Sequence, residues 1–211
     1  MTSEKTSNAE SSASFSIPWK KVARLGLLHS LHYLLRSVSW EIWRASRTLD
    51  VEFDELKFGE TPVRTAQEIL RAVPGVTANS VVADLGCGRG RAAFYFHLLS
   101  GAKVVAYDIV ESYIATARAL ARKMECENEV LFYLEDLRSV ELAEFDVIYA
   151  CALCFGEPTR ELLLEKLLKA TPGVHIVTVG WQPRHERLEP IATFPATFSW
   201  GRAGVSVVKL R

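Results

Sequence analysis

Along the chain, short apolar runs ending in an acid or a glycine alternate with longer amphipathic stretches, the rhythm of strands and helices laid down in turn. Val81-Val82-Ala83-Asp84-Leu85, Lys103 to Asp108, Val130 to Asp136, Phe145 to Ala150 and Val174 to Gly180 are the five clearest such runs. Their brevity and their apolar interiors predict strands buried inside a parallel sheet. Arg91 to Leu99 and a stretch running through Leu168 have helix-compatible composition, and the tail from Ile191 to Val208 alternates enough for two more strands. Ahead of the first strand, Ala66, Ile69, Leu70 and Val73 recur at helical spacing until Pro74-Gly75 stops them. Thr61-Pro62 reads there as an N-cap followed by proline in the first turn.

The N-terminal quarter has a different texture. Residues 1–16 are rich in Ser, Thr, Glu and Asn, and predict a disordered tail. From Ile17 to Leu49 the apolar positions Leu28, Leu31, Leu35, Val38 and Ile42 step by three and four, so residues 17–57 form a helical extension to a domain spanning 58–211. Its other face carries Lys20, Lys21, Arg24, Arg36, Arg44 and Arg47 against Glu41 as the acid. A helical cap with a solvated basic face is the expectation; with Trp40 and Trp43, attachment to a membrane surface is the alternative. His29 and His32 lie one turn apart, but no acid or cysteine nearby in sequence completes a metal set.

Candidate chemistry gathers at the strand ends. Asp84-Leu85-Gly86-Cys87-Gly88-Arg89-Gly90 places glycine at every second position after a buried strand, so the backbone can take positive φ and a ligand can approach without meeting a Cβ. A dinucleotide fingerprint needs a third small residue where Arg91 stands, which disfavours NAD. Asp108 ends the second strand, where its two oxygens suit a ribose diol; with Glu111 three residues on it also has capping-box spacing. Cys151 and Cys154 form a CxxC, but no second CxxC supplies the other half of a zinc site and no thioredoxin-like order surrounds it.

An acid two residues before GxGxG resembles motif I of class I S-adenosylmethionine-dependent methyltransferases, and the order of motifs from Phe58 to Val208 resembles the Dot1-like lysine methyltransferase catalytic domain. The resemblance implies a Rossmann-like α/β fold, a mostly parallel seven-stranded sheet with an antiparallel C-terminal strand. It also implies S-adenosylmethionine as cofactor, held by Phe58, Glu60, Thr61, Asp84, Gly86, Gly88, Gly90 and Asp108, with Asp136 and Leu137 at the adenine. Phe58, Cys151, Phe155 and Trp200 are the candidates to line the active-site channel, with a protein lysine as acceptor. Two departures thin the polar pocket: the family's Asn-Asn after the fourth strand is Cys151-Ala152 here, and its paired C-terminal tyrosines are Val207-Val208.

Lys and Arg total 25, as do Asp and Glu, so no nucleic-acid partner held by bulk electrostatics is indicated. Four cysteines without a secretory pattern, and no apolar run of about 18 residues, lead to the expectation of a cytoplasmic protein with free thiols and no metal. A small-molecule acceptor, and a cofactor-binding module that has lost catalysis, are the competing functional readings. Aminopropyl transfer is weakened by the lack of an acidic, glycine-dense loop.

Overall fold

A computed structural model of the protein describes residues 15–33, 47 and 59–211. The elements run α1 (Trp19–Tyr33), α2 (Val63–Ala72), β1 (Val81–Leu85), α3 (Arg91–Ser100), β2 (Lys103–Asp108), α4 (Glu111–Lys123), β3 (Val130–Leu134), β4 (Val147–Cys151), α5 (Glu157–Leu167), β5 (His175–Val179), β6 (Leu188–Phe198) and β7 (Gly201–Leu210). They build one seven-stranded sheet in the order β3-β2-β1-β4-β5-β7-β6. β1 to β5 pair in parallel, and β7 runs antiparallel to both β5 and β6. The Rossmann-like α/β fold and the antiparallel strand expected from the sequence are both present.

The sheet's two faces are covered unequally. On one, Val82, Val104, Tyr149, Val177 and Val207 bury against α2, α3 and α4, with Phe94, Phe96 and Ile69 filling the layer. On the other, Ala83, Ile148, Ile176 and Val208 meet Leu163 and Leu167 of α5 together with the loop residues Val140 and Leu142. Burying both faces is what turns these strands into continuous apolar runs.

α1 packs on α3 and α4. Leu25 is fully buried, and the buried His29 meets Phe94 edge-on with ring centroids 6.1 Å apart. Arg24 fastens the helix by donating to the Lys123 carbonyl at 2.7 Å. Three sequence expectations need correction here. Phe15, placed at the end of the tail expected to be disordered, is buried, and its carbonyl accepts a hydrogen bond from Gln67. Leu31, counted with the buried stripe, is exposed; the stripe in contact runs through Val22, Leu25, Leu28 and His29, because Leu25 and His29 are the positions aimed at the α3–α4 surface. Thr61 does not cap α2: Pro62 occupies the N-cap position, and the Thr61 hydroxyl turns inward. Residues 34–46 and 48–58, with Phe58, Trp40 and Trp43, lie outside the described residues. Among those described, no helix is long and apolar enough to cross a membrane.

Candidate functional site

Where β1 ends, the chain must turn sharply into α3, and it does so with Gly86, Gly88 and Gly90 at φ values of 75°, 54° and 76°. A side chain at these angles would strain the backbone, which is why glycine recurs there. The loop is stapled to the end of β2. Gly86 and Cys87 both donate their N–H groups to the Tyr107 carbonyl at 2.9 Å, and Gly88 donates to Asp108 Oδ2 at 2.7 Å. Asp108 Oδ1 accepts from Val110 N–H at 2.8 Å. α4 starts at Glu111 with Val110 in the N-cap position and no side-chain cap, so the Asp108 carboxylate does not cap the helix but ties the glycine loop, through Gly88, to the entry of α4, through Val110. With Ile109 as a third backbone donor, the carboxylate keeps about one of its roughly four acceptor sites for a donor outside the protein. Burial raises this carboxyl to about 6, against the pull of the backbone donors Val110, Gly88 and Ile109.

Asp84, four residues before Gly88, is 1% exposed, and its Oδ2 has no hydrogen-bond partner among the described residues. Desolvation, reinforced by the Asp108 charge and only partly offset by a backbone bond from Ala93, lifts its carboxyl to about 8. An acid in that state holds a proton at neutral pH unless a cation comes to face it. Asp84 lines a cleft with Glu60, Thr61, Arg91, Tyr149 and Cys151. Cys151, at the end of β4, is a neutral thiol, pushed up to about 12 chiefly by burial.

The opposite wall is the loop Gly59-Glu60-Thr61-Pro62, and distant parts of the chain hold it. Glu60 N–H donates to Ser199 Oγ at 2.8 Å and Ser199 N–H to the Glu60 carbonyl at 3.1 Å. The hydroxyls of Thr61 and Tyr149 lie 2.9 Å apart in a buried pair, and Glu60 Oε2 meets Arg91 Nη1 at 2.8 Å. Gly59 is pressed against Trp200, since a Cβ built there would stand 1.7 Å from the indole Cε3. Trp200 itself stacks on Phe198 with centroids 4.6 Å apart.

The structure thus brings together most of the predicted residues: Glu60, Thr61, Asp84, Gly86 and Cys151 around the cleft, Gly88, Gly90 and Asp108 in the loop beside it, and Trp200 against Gly59. Phe155 lies against Gly86, its Cζ 3.4 Å from where a Cβ would be. Leu137 packs with Phe155 into the α5 side of the core. Asp136 is engaged locally: it accepts from Arg138 N–H at 2.8 Å and pairs with the Arg138 guanidinium at 2.6 Å. Burial would raise its carboxyl, but Arg138's bonds and charge hold it below the usual range. The two CxxC cysteines form no disulfide, and no group of three or more metal-ligating side chains occurs among the described residues. Arg91 and Tyr149 were missed as site residues. The signal for Arg91 was its place at the position where a dinucleotide loop needs glycine; a tyrosine inside a strand gave none.

Comparison with known proteins follows the same outline. Residues 82–171 match the family model described as a methyltransferase domain. An uncharacterized protein of Methanocaldococcus jannaschii is 38% identical over 63 residues, a match spanning 30% of this chain and only 28% of that protein. Among solved structures, an RNA methyltransferase from Salinibacter ruber, in complex with S-adenosyl-L-homocysteine, superposes with a TM-score of 0.57 at 23% identity, covering 71% of this chain and 92% of that one. A geranyl diphosphate C-methyltransferase from Streptomyces coelicolor gives 0.59 at 12% identity over 70% and 79% of the two chains. TrmN from Thermus thermophilus gives 0.59 at 18% identity over 75% and 52%. At these identities the structures establish the fold, that of class I methyltransferases.

Proposed function

We propose that the cleft holds the methionine end of S-adenosylmethionine and that the chain transfers its methyl group to an acceptor at the end of β4, with a protein lysine amine as the acceptor that suits the site best. The observation that carries the cofactor reading is the buried, partnerless Asp84 Oδ2 beside a glycine loop stapled to Asp108. The methionine end is a zwitterion. Asp84 offers an acceptor to its ammonium, and Arg91, whose buried Nε has no partner among the described residues, offers a donor to its carboxylate. The resemblance to Dot1-like enzymes adds Asp108 at the ribose, and Asp136 with Leu137 at the adenine.

When bound, the cofactor supplies a methyl group already made electrophilic by its sulfonium. What remains for the protein is to position the acceptor in line and to keep its lone pair free. Cys151 and the hydroxyl pair of Thr61 and Tyr149 provide neutral surroundings, which disfavour the charged form of an amine and so promote loss of its proton. Trp200, and Phe155 against Gly86, give the aromatic walls that an aliphatic stem ending in an amine can slide along.

The test is labelled S-adenosylmethionine, first in calorimetry with the purified protein and then with a cell lysate fractionated into protein, RNA and small molecules. Binding in the micromolar range is expected, with label in protein recovered as methyllysine after acid hydrolysis. Absence of binding would sink the cofactor reading. Label confined to RNA or to small molecules would keep the cofactor and overturn the lysine.

A further inference from the structure

α1 is amphipathic twice over. Its inner face, Val22, Leu25, Leu28 and His29, is accounted for by α3 and α4. At 100° per residue, Leu27 lies about 200° around the helix from Leu25, on the side turned away from the domain. There Trp19 is 55% exposed, Leu27 62% and Leu31 59%. With the exposed Ala23 they follow at four-residue steps, a row about 18 Å long at 1.5 Å per residue. Lys20, exposed, sits at its N-terminal end, while Lys21, about 200° around from Trp19, turns toward Cys126 of the domain. A soluble domain has no folding reason to keep a tryptophan and two leucines in water on a helix whose other face already packs, and scattered apolar residues do not fall into one row by default.

We propose that this outer row of α1 is a docking surface for an anionic lipid bilayer, on which the helix lies flat with Trp19, Leu27 and Leu31 inserted at the level of the headgroups. Two features select lipid over other occupants. The surface is a convex ridge, which a fluid interface accommodates without needing a complementary groove. Lys20 is placed to meet lipid phosphates, and residues 17–49 carry Glu41 as their single acid, although the whole chain is balanced at 25 charges of each sign. A 15-residue helix is too short to span a bilayer, so the contact is with the surface. The helix would thus link the domain to a membrane through one face while α3 and α4 hold the other.

Co-sedimentation of the full chain with vesicles of three parts phosphatidylcholine to one part phosphatidylserine tests this, beside vesicles of phosphatidylcholine alone. The intact protein is expected to pellet with the anionic vesicles at low salt and to be released progressively as salt rises. The triple variant Trp19→Ser, Leu27→Ser, Leu31→Ser, whose side chains are exposed and so leave the core intact, should lose bound fraction by about a hundredfold. Lys20→Glu should weaken the salt dependence, with circular dichroism confirming an unchanged fold in both. No pelleting of the intact protein at low salt overturns the proposal, as does equal pelleting of the triple variant. Sedimentation velocity supplies the remaining arm: a dimer that the triple variant dissolves, without vesicle binding, would assign the row to a second copy and overturn the lipid.

Discussion

Two loops border the cleft, and they are held in different ways. The loop 86–90 is fastened by Tyr107 and Asp108, the last residues of the neighbouring strand, through backbone donors only. The loop 59–62 is fastened by Ser199, Trp200, Tyr149 and Arg91, through side chains drawn from a hairpin, a strand and a helix. The first is a local consequence of one strand-loop-helix unit and its neighbour; the second exists only when the whole sheet is closed. One wall of the cleft is therefore built into the smallest folding unit of the domain, while the wall facing it depends on packing far along the chain.

The largest effect should come from breaking the first loop. Gly88→Val forces a β-branched residue to φ 54°, where strain of about 1–2 kcal/mol adds to the lost approach of a ligand. Calorimetry should show S-adenosylmethionine affinity down by at least about a hundredfold. Gly59→Ala strikes the second loop instead, pushing on the Trp200 ring at a cost of about 1–3 kcal/mol. It should lower turnover about tenfold with a smaller change in cofactor affinity, and equal losses in both variants would erase the distinction drawn between the loops.

A pH experiment sharpens the same contrast, because the titrating acids belong to the first loop. Asp84 and Asp108 have folded pKa values of about 8 and about 6, raised from 3.8. The unfolded chain releases those protons near 3.8 and the folded one later, so stability falls as pH climbs through that window and the loss from Asp84 is complete only above about 8. Asp84→Asn keeps a neutral group of the same shape. Its melting temperature should gain on the parent steadily from pH 5 to 8.5, and parallel curves would mean that Asp84 is already ionised.

The smallest effect expected is at the hydroxyl pair. Tyr149→Phe leaves the Thr61 hydroxyl buried without its partner, worth about 1 kcal/mol, or roughly 2–4 °C in melting temperature for a chain of this size. Thr61→Val made in the Tyr149→Phe background should cost less than it does alone. Additive losses would show that the pair does not anchor the loop.

What could be read from the chain follows the same division. The strands, the glycine loop and the acids at the ends of β1 and β2 were legible because each is a local pattern: an apolar run, residues that permit positive φ, or a carboxylate at a strand end. Thr61 shows where this ends. Its local signal, a threonine before Pro62, is that of a helix cap, but burial beside Tyr149, 88 residues away, offered the hydroxyl a better partner. Leu31 failed for a similar reason, since periodicity finds an apolar stripe but not which of two stripes meets α3 and α4. Arg91 and Tyr149 acquire meaning only from what stands opposite them in the closed sheet.

The clamp between Glu60 and Ser199 also has a consequence in time. The two residues are 139 apart in sequence, so at synthesis rates of about 5–20 residues per second, roughly 7–28 s pass between their translation. During that interval β1 to β5 can already emerge and pair, with the glycine loop stapled to Asp108, while the opposite wall has Tyr149 and Arg91 to grip but still lacks Ser199 and Trp200. On the ribosome, the glycine loop is thus expected to be in place before the opposite wall of the cleft is clamped, so the cleft is completed only when the C-terminal hairpin arrives.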